Sequence, residues 1–126
     1  MIINMKPQEF LEFISDPKSW PSFLNFYYYL DGQLDVRTIS GTKKVNFTVE
    51  QDGINPTIYI SNDTLKFKYQ FTVNNMTDTC DISLTTDYII PFLESRALRL
   101  MGINLLIKNS VVLDNIQHFV DFGHIH

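Results

Sequence analysis

The stretch Leu65-Lys66-Phe67-Lys68-Tyr69-Gln70-Phe71-Thr72-Val73 decides the fold. Apolar and polar residues alternate across all of it, the period of a strand with one face in a core and the other in water. Working outward, the same period runs from Asn25 to Tyr88, punctuated by Asp31-Gly32, Ser40-Gly41, Asp52-Gly53 and Asn62-Asp63. Asp-Gly favours a two-residue hairpin loop, and the other two dipeptides are compatible with one. Reading all four as such loops places Tyr29 opposite Leu34 and Tyr27 opposite Val36. It also places Val36 opposite Val45, Leu34 opposite Phe47, Phe47 opposite Ile58, and Val45 opposite Ile60. Ile60 then faces Leu65, and Ile58 faces Phe67. Directly opposed residues share a sheet face. The turns therefore predict one continuous apolar face, extended by Cys80, Ile82, Leu84, Thr86 and Tyr88 of a last strand. The reverse face carries Asp35, Arg37, Lys44, Asn46, Thr48, Glu50, Lys66, Lys68 and Asp87, so it is wet.

On either side of this meander the period becomes helical. Pro7, followed by Phe10, Phe13 and Ile14, predicts a short helix stopped by Asp16-Pro17. Lys18 to Leu24 predicts a second short helix or turn packed by Trp20, Phe23 and Leu24. After Pro91, Phe92 to about Val120 reads as one continuous helix, about 43 Å long at 1.5 Å per residue. Its main apolar stripe is Leu98, Met101, Leu105, Val112, Ile116 and Phe119, and Gly123 supplies its end signal. A second row, Leu100, Ile103, Ile107 and Val111, lies on the opposite side and predicts a homodimer contact. The expected architecture is α+β: a single domain over residues 1–126, with a seven-stranded antiparallel sheet wrapped on a long C-terminal helix. The first strand, Ile2 to Met5, pairs at the edge with the last strand, and two short helices follow it.

Composition narrows the function classes. The chain has 126 residues, 44% apolar and 19% charged, with 17 aromatic rings among ten Phe, six Tyr and one Trp. A domain of this size buries roughly two-thirds of its unfolded surface, enough for a real core. A net charge of −4 and only short basic features, Lys43-Lys44 and Lys66-x-Lys68, argue against a nucleic-acid binder. The longest uncharged apolar piece near the C-terminus, Leu100 to Ile107, is too short to span a bilayer. No signal peptide is visible in MIINMKPQEF, and Cys80 stands alone. These features predict a cytoplasmic protein.

The order of elements resembles the helix-grip fold of the START-domain and birch-pollen-allergen superfamily, and within it the polyketide cyclase/dehydrase-like proteins. The resemblance rests on FLEFISDPKSWPSFL, Phe10 to Leu24, and TCDISLTTDYIIPFL, Thr79 to Leu93. It implies a cavity between the sheet and the long helix, of the kind that holds lipids, polyketides or other apolar molecules. It carries over no catalytic residue, because that superfamily shares no catalytic signature.

The residues themselves define candidates for such a site. Buried tyrosine hydroxyls need partners, and an amide on an apolar helix stripe is costly unless bonded. Tyr29, Tyr69, Tyr88, Thr86 and Asn109 are thus candidate polar groups of a mostly apolar pocket. The remaining wall is expected from Phe13, Trp20, Phe47, Phe67, Phe71, Leu84, Met101, Leu105 and Val112. The favoured reading is a protein that binds a small hydrophobic molecule, without cofactor or metal. The alternatives are a cyclase or dehydratase, or an interaction module with a filled core. The enzyme would need Asp35 and Arg37, beside Tyr28, to point inward, or a tyrosine with a perturbed pKa; the hairpin register points Asp35 and Arg37 outward. His124-x-His126 lacks a Cys or carboxylate framework for a metal and His118 falls on the polar side of its helix. Cys80 shows no partner base and reads as a small buried hydrophobe.

Overall fold

The structure is a computed structural model and describes residues 1–123; His124-x-His126 lies outside the described residues. A short strand β1 (Ile2–Ile3) leads into α1 (Pro7–Ile14). Pro7 sits in the first turn, where its missing N–H is harmless, and the Glu9 carboxylate accepts the Lys6 N–H at 3.2 Å. A 3₁₀ helix follows at Pro17–Ser22, started by Asp16, whose side chain accepts the Lys18 N–H at 3.0 Å. The strands β2 (Tyr27–Leu30) and β3 (Gln33–Thr38) follow, joined at Asp31-Gly32. Both loop residues have positive φ, 53° and 79°, as a tight hairpin turn with the twist of its strands requires. Here Tyr27 faces Val36 and Tyr29 faces Leu34, as expected.

The remaining strands are β4 (Gly41–Lys44), β5 (Asn46–Asp52), β6 (Asn55–Ser61), β7 (Lys66–Asn75) and β8 (Cys80–Ile89). Each of the other three tight turns is centred one residue away from the dipeptide that marks it. Thr38 pairs with Gly41 and Asp52 with Asn55, while the Asn62 N–H bonds the Leu65 carbonyl at 2.8 Å. At the last of these, Asn62 Oδ1 accepts the N–H groups of Thr64 and Leu65, so Asn62 opens the turn rather than sitting inside it. Moving a turn by one residue moves the pairing by two. Phe47 therefore faces Ile60 rather than Ile58, Ile60 faces Phe67, and Ile58 faces Tyr69. Val36 faces Lys43 instead of Val45. A shift of two leaves every side chain on its original face. Phe67, Tyr69, Phe71 and Val73 are buried, Lys66, Gln70 and Thr72 are exposed, and Lys68 is half-buried.

The expected seven-stranded sheet is instead two sheets, β1-β8-β7-β6-β5 and β2-β3-β4. The division falls at Val45. Its side chain is buried and its N–H bonds the Leu34 carbonyl at 3.1 Å. The segment read as one strand bends there, so residues 41–44 pair only with β3 and residues 46–52 only with β6. β1 pairs with β8, Ile2 to Asp81 and Ile3 to Cys80, as the edge requirement predicts.

The C-terminal region departs further from expectation. It is two helices, α2 (Phe92–Leu100) and α3 (Asn109–Phe122). Gly102, at φ 78°, ends α2. The Gly102 N–H bonds the Arg99 carbonyl at 3.0 Å and the Ile103 N–H bonds the Leu98 carbonyl at 2.7 Å. That pair of bonds is a Schellman motif, which satisfies the last carbonyls and turns the chain out of the helix. Gly123, also left-handed at φ 76°, ends α3 as its position suggests. The row Leu100, Ile103, Ile107 and Val111 is consequently not a helix face. Leu100 stands exposed on α2, Ile103 and Ile107 pack on the core from the connecting segment, and Val111 is exposed in the first turn of α3. The helical premise for a dimer through this row is removed. Cover for the apolar face is shared. α1 packs on β6 and β7, with the Phe10 and Phe71 rings 5.5 Å apart, while α3 packs on β8 and β1 through Val112 and Ile116.

Candidate functional site

Trp20 forms the centre of the interior. The 3₁₀ helix turns its indole inward, where Nε1–H donates to the Ile14 carbonyl at 3.0 Å. Around it stand Tyr69 at 4.6 Å between ring centroids, Phe23 at 4.9 Å, Tyr27 at 6.0 Å and Phe47 at 6.1 Å. Phe67 packs edge-on against Tyr27 at 6.0 Å and Tyr88 at 5.7 Å. Within this cage the hydroxyls of Tyr27 and Tyr69 lie 2.8 Å apart and have no other hydrogen-bond partner among the described residues. One O–H donates to the other oxygen, which leaves the second O–H proton without an acceptor. Burial, reinforced at Tyr27 by its neighbour, pushes the pKa of both hydroxyls well above the ordinary tyrosine value. Both groups therefore stay protonated at neutral pH and act as donors, not as bases.

The expected site residues divide into three groups. Trp20, Phe67, Tyr69, Phe71, Leu84, Leu105 and Val112 are buried, and Trp20, Tyr69, Phe71 and Val112 have 0% exposure. A void large enough for water would leave accessible surface on its walls, so none adjoins these four. The expected cavity is filled at this point by the protein's own rings. Phe13, Tyr29, Phe47, Thr86, Tyr88 and Asn109 are half-buried. Phe13 stacks on Phe119 at 5.5 Å, and Tyr29 and Phe47 reach a surface cleft of about 220 Å³ beside Pro17 and Gln33. Met101 is 57% exposed and lines nothing, because the helix meant to hold it inward has already ended.

Asn109 and Tyr88 have structural partners. Asn109 Nδ2 donates to the Leu84 carbonyl at 2.9 Å, and its Oδ1 accepts from the Thr86 hydroxyl. The Tyr88 hydroxyl donates to the Ile107 carbonyl at 2.8 Å. These bonds fasten the segment 101–108 and the start of α3 to β8. They also place Tyr88, its ring 6.4 Å from that of Tyr69, between the hydroxyl pair and Ile107. Sequence reasoning put Tyr27 among the inner aromatics but not in the site. Its partner lies on a strand of the other sheet, and no local spacing signals that meeting.

Asp35 and Arg37, with Tyr28 beside them, are on the outer face, as the register expects. Arg37 is exposed, its guanidinium 5.5 Å from the Tyr28 ring centroid, and both line a cleft of about 300 Å³ with Gly102, Ile103 and Asn104. Asp35 is half-buried, and its Oδ1 has no hydrogen-bond partner among the described residues. Cys80 is buried, which pushes its thiol pKa up and keeps the reactive thiolate scarce. His118 is exposed beside Phe122. Among the described residues no three His, Cys, Asp or Glu side chains group to hold a metal. No helix among them is long and apolar enough to cross a membrane.

A START superfamily protein from Mycobacterium smegmatis has a similar structure, with a TM-score of 0.56 over 96% of this chain and 93% of that one. The chain has a START-like fold. The two sequences are 14% identical, so the likeness is one of fold. No family model matches the sequence, and no curated protein matches it. The departures from the architecture expected of the sequence are the division into two sheets at Val45 and the end of α2 at Gly102.

Proposed function

We propose that this START-like chain binds a small, mostly apolar molecule carrying a hydrogen-bond acceptor. The observation that carries the reading is the Tyr27–Tyr69 hydroxyl pair, with one O–H proton unsatisfied inside an aromatic cage. A ligand acceptor would complete that bond, and the surrounding rings would supply apolar contact. The interior is closed, so entry requires the segment 101–108 to move aside, releasing Leu105 from the core and the Ile107 carbonyl from Tyr88. Protonated tyrosines suit recognition better than general-base chemistry, and Asp35 and Arg37 face away from the cage, so a cyclase or dehydratase is the weaker reading.

Native mass spectrometry of the purified protein tests this. The expected result is a co-purified or added lipid or aromatic adduct, released on denaturation and weakened in the Tyr27→Phe, Tyr69→Phe variant. Zero exposure at Trp20, Tyr69 and Phe71 favours a second reading, an interaction module with a filled core. A bare mass for the wild type against lipids and aromatic compounds alike would support that reading and refute the first.

A further inference from the structure

We propose that α2 is a docking helix for an anionic lipid surface. α2 rests on the protein by one buried side chain, Leu98, and by the Glu94 carboxylate, which accepts the Ile39 N–H at 3.1 Å. At 100° per residue these two point one way, while Phe92, Leu93, Arg96, Arg99 and Leu100 point the other. Phe92 is 70% exposed, Leu93 77% and Leu100 88%, an unusual state for three large apolar side chains on nine residues. The polar members of the outward face are both arginines, and the helix's one acid is turned inward. Arg96 lies over the Phe92 ring at 5.7 Å.

The charge of the neighbourhood chooses the occupant. Lys43 and Lys44 border the cleft that reaches Pro91 and Glu94, and Lys66 pairs across from Ile89, itself 63% exposed. Asp63, Asp87 and the inward-turned Glu94 are the acids on this side, against Lys43, Lys44, Lys66, Arg96 and Arg99, so cations prevail there although the chain as a whole carries −4. A second copy would bring arginine against arginine. Rings and leucines projecting between arginines match a bilayer interface, where apolar groups enter the acyl boundary and guanidinium groups meet phosphate. A helix of nine residues lies on such a surface and does not cross it.

The test is co-flotation of the whole protein with vesicles of phosphatidylcholine alone and of phosphatidylcholine with phosphatidylserine, at low and high salt. The expected result is binding to the anionic vesicles, lost at high salt. Arg96→Gln with Arg99→Gln should lower partitioning about thirtyfold, at about fivefold per charge near such a surface. Leu93→Asp with Leu100→Asp should abolish it. If that second pair misfolds by circular dichroism, the exposed arginine pair decides alone. Equal binding to neutral and anionic vesicles, no binding, or binding that the arginine pair leaves unchanged overturns the proposal. Sedimentation as a dimer that Leu93→Asp with Leu100→Asp dissociates would assign the face to a second copy and overturn it too.

Discussion

Removing the Tyr27 and Tyr69 hydroxyls singly and together tests the interior directly. In Tyr27→Phe or Tyr69→Phe the surviving hydroxyl loses its partner 2.8 Å away and stays buried without a bond. That costs about 1–3 kcal/mol at neutral pH, the desolvation of a polar group left unpaired. Removing both takes away the stranded group as well, and replacing both members of a buried bond by apolar groups is close to neutral. The double variant should therefore be more stable than either single one, with a coupling of about 2–6 kcal/mol, the sum of the two single costs. Urea unfolding followed by Trp20 fluorescence reads this. A second arm uses pH. Burial raises both hydroxyls above the ordinary value of 10.0, so the folded state holds its protons where the unfolded chain releases them. Stability is then fully present below about pH 10 and falls as pH rises past it, by about 1.4 kcal/mol per pH unit for each such group. In the double variant this loss shrinks to the parts due to Tyr88 and Cys80, whose values burial also raises. Strictly additive single effects, with an unchanged alkaline slope, would show that the hydroxyls have independent partners and refute the pair.

Two further outcomes follow from the break in the C-terminal helix. Asn109→Ala should destabilise by about 1–3 kcal/mol, because the Leu84 carbonyl and the Thr86 hydroxyl both lose their partner, and hydrogen exchange should then rise at residues 101–112 before it rises in β7. Gly102→Ala should lower stability by about 1 kcal/mol through its φ of 78° alone, since a Cβ there meets nothing within 4 Å. An unchanged melting temperature in Gly102→Ala would mean that the left-handed turn is not held in solution.

Alternation along residues 65–73 was enough to assign the inner face, and its success does not depend on placing the turns correctly. Three turns sit one residue from their expected centres, yet each error shifts pairing by two and so preserves the faces. Pro7, Asp16-Pro17 and Gly123 likewise act through their own backbone geometry, which the sequence carries locally. Gly102 carried the same signal as Gly123, but the apolar period continues past it through Leu105 and Val112. Period alone cannot tell a helix from two helices whose apolar residues reach one core. The bend at Val45 depends on where its side chain finds space, which neighbours on β3 and β6 decide together. The site was legible as a set of inward aromatics and hidden as an arrangement. Whether rings enclose a void depends on volumes and distances summed over α1, the 3₁₀ helix and both sheets. The Tyr27–Tyr69 contact exists only because two sheets close on each other, and residues 42 positions apart acquire it from packing rather than from spacing.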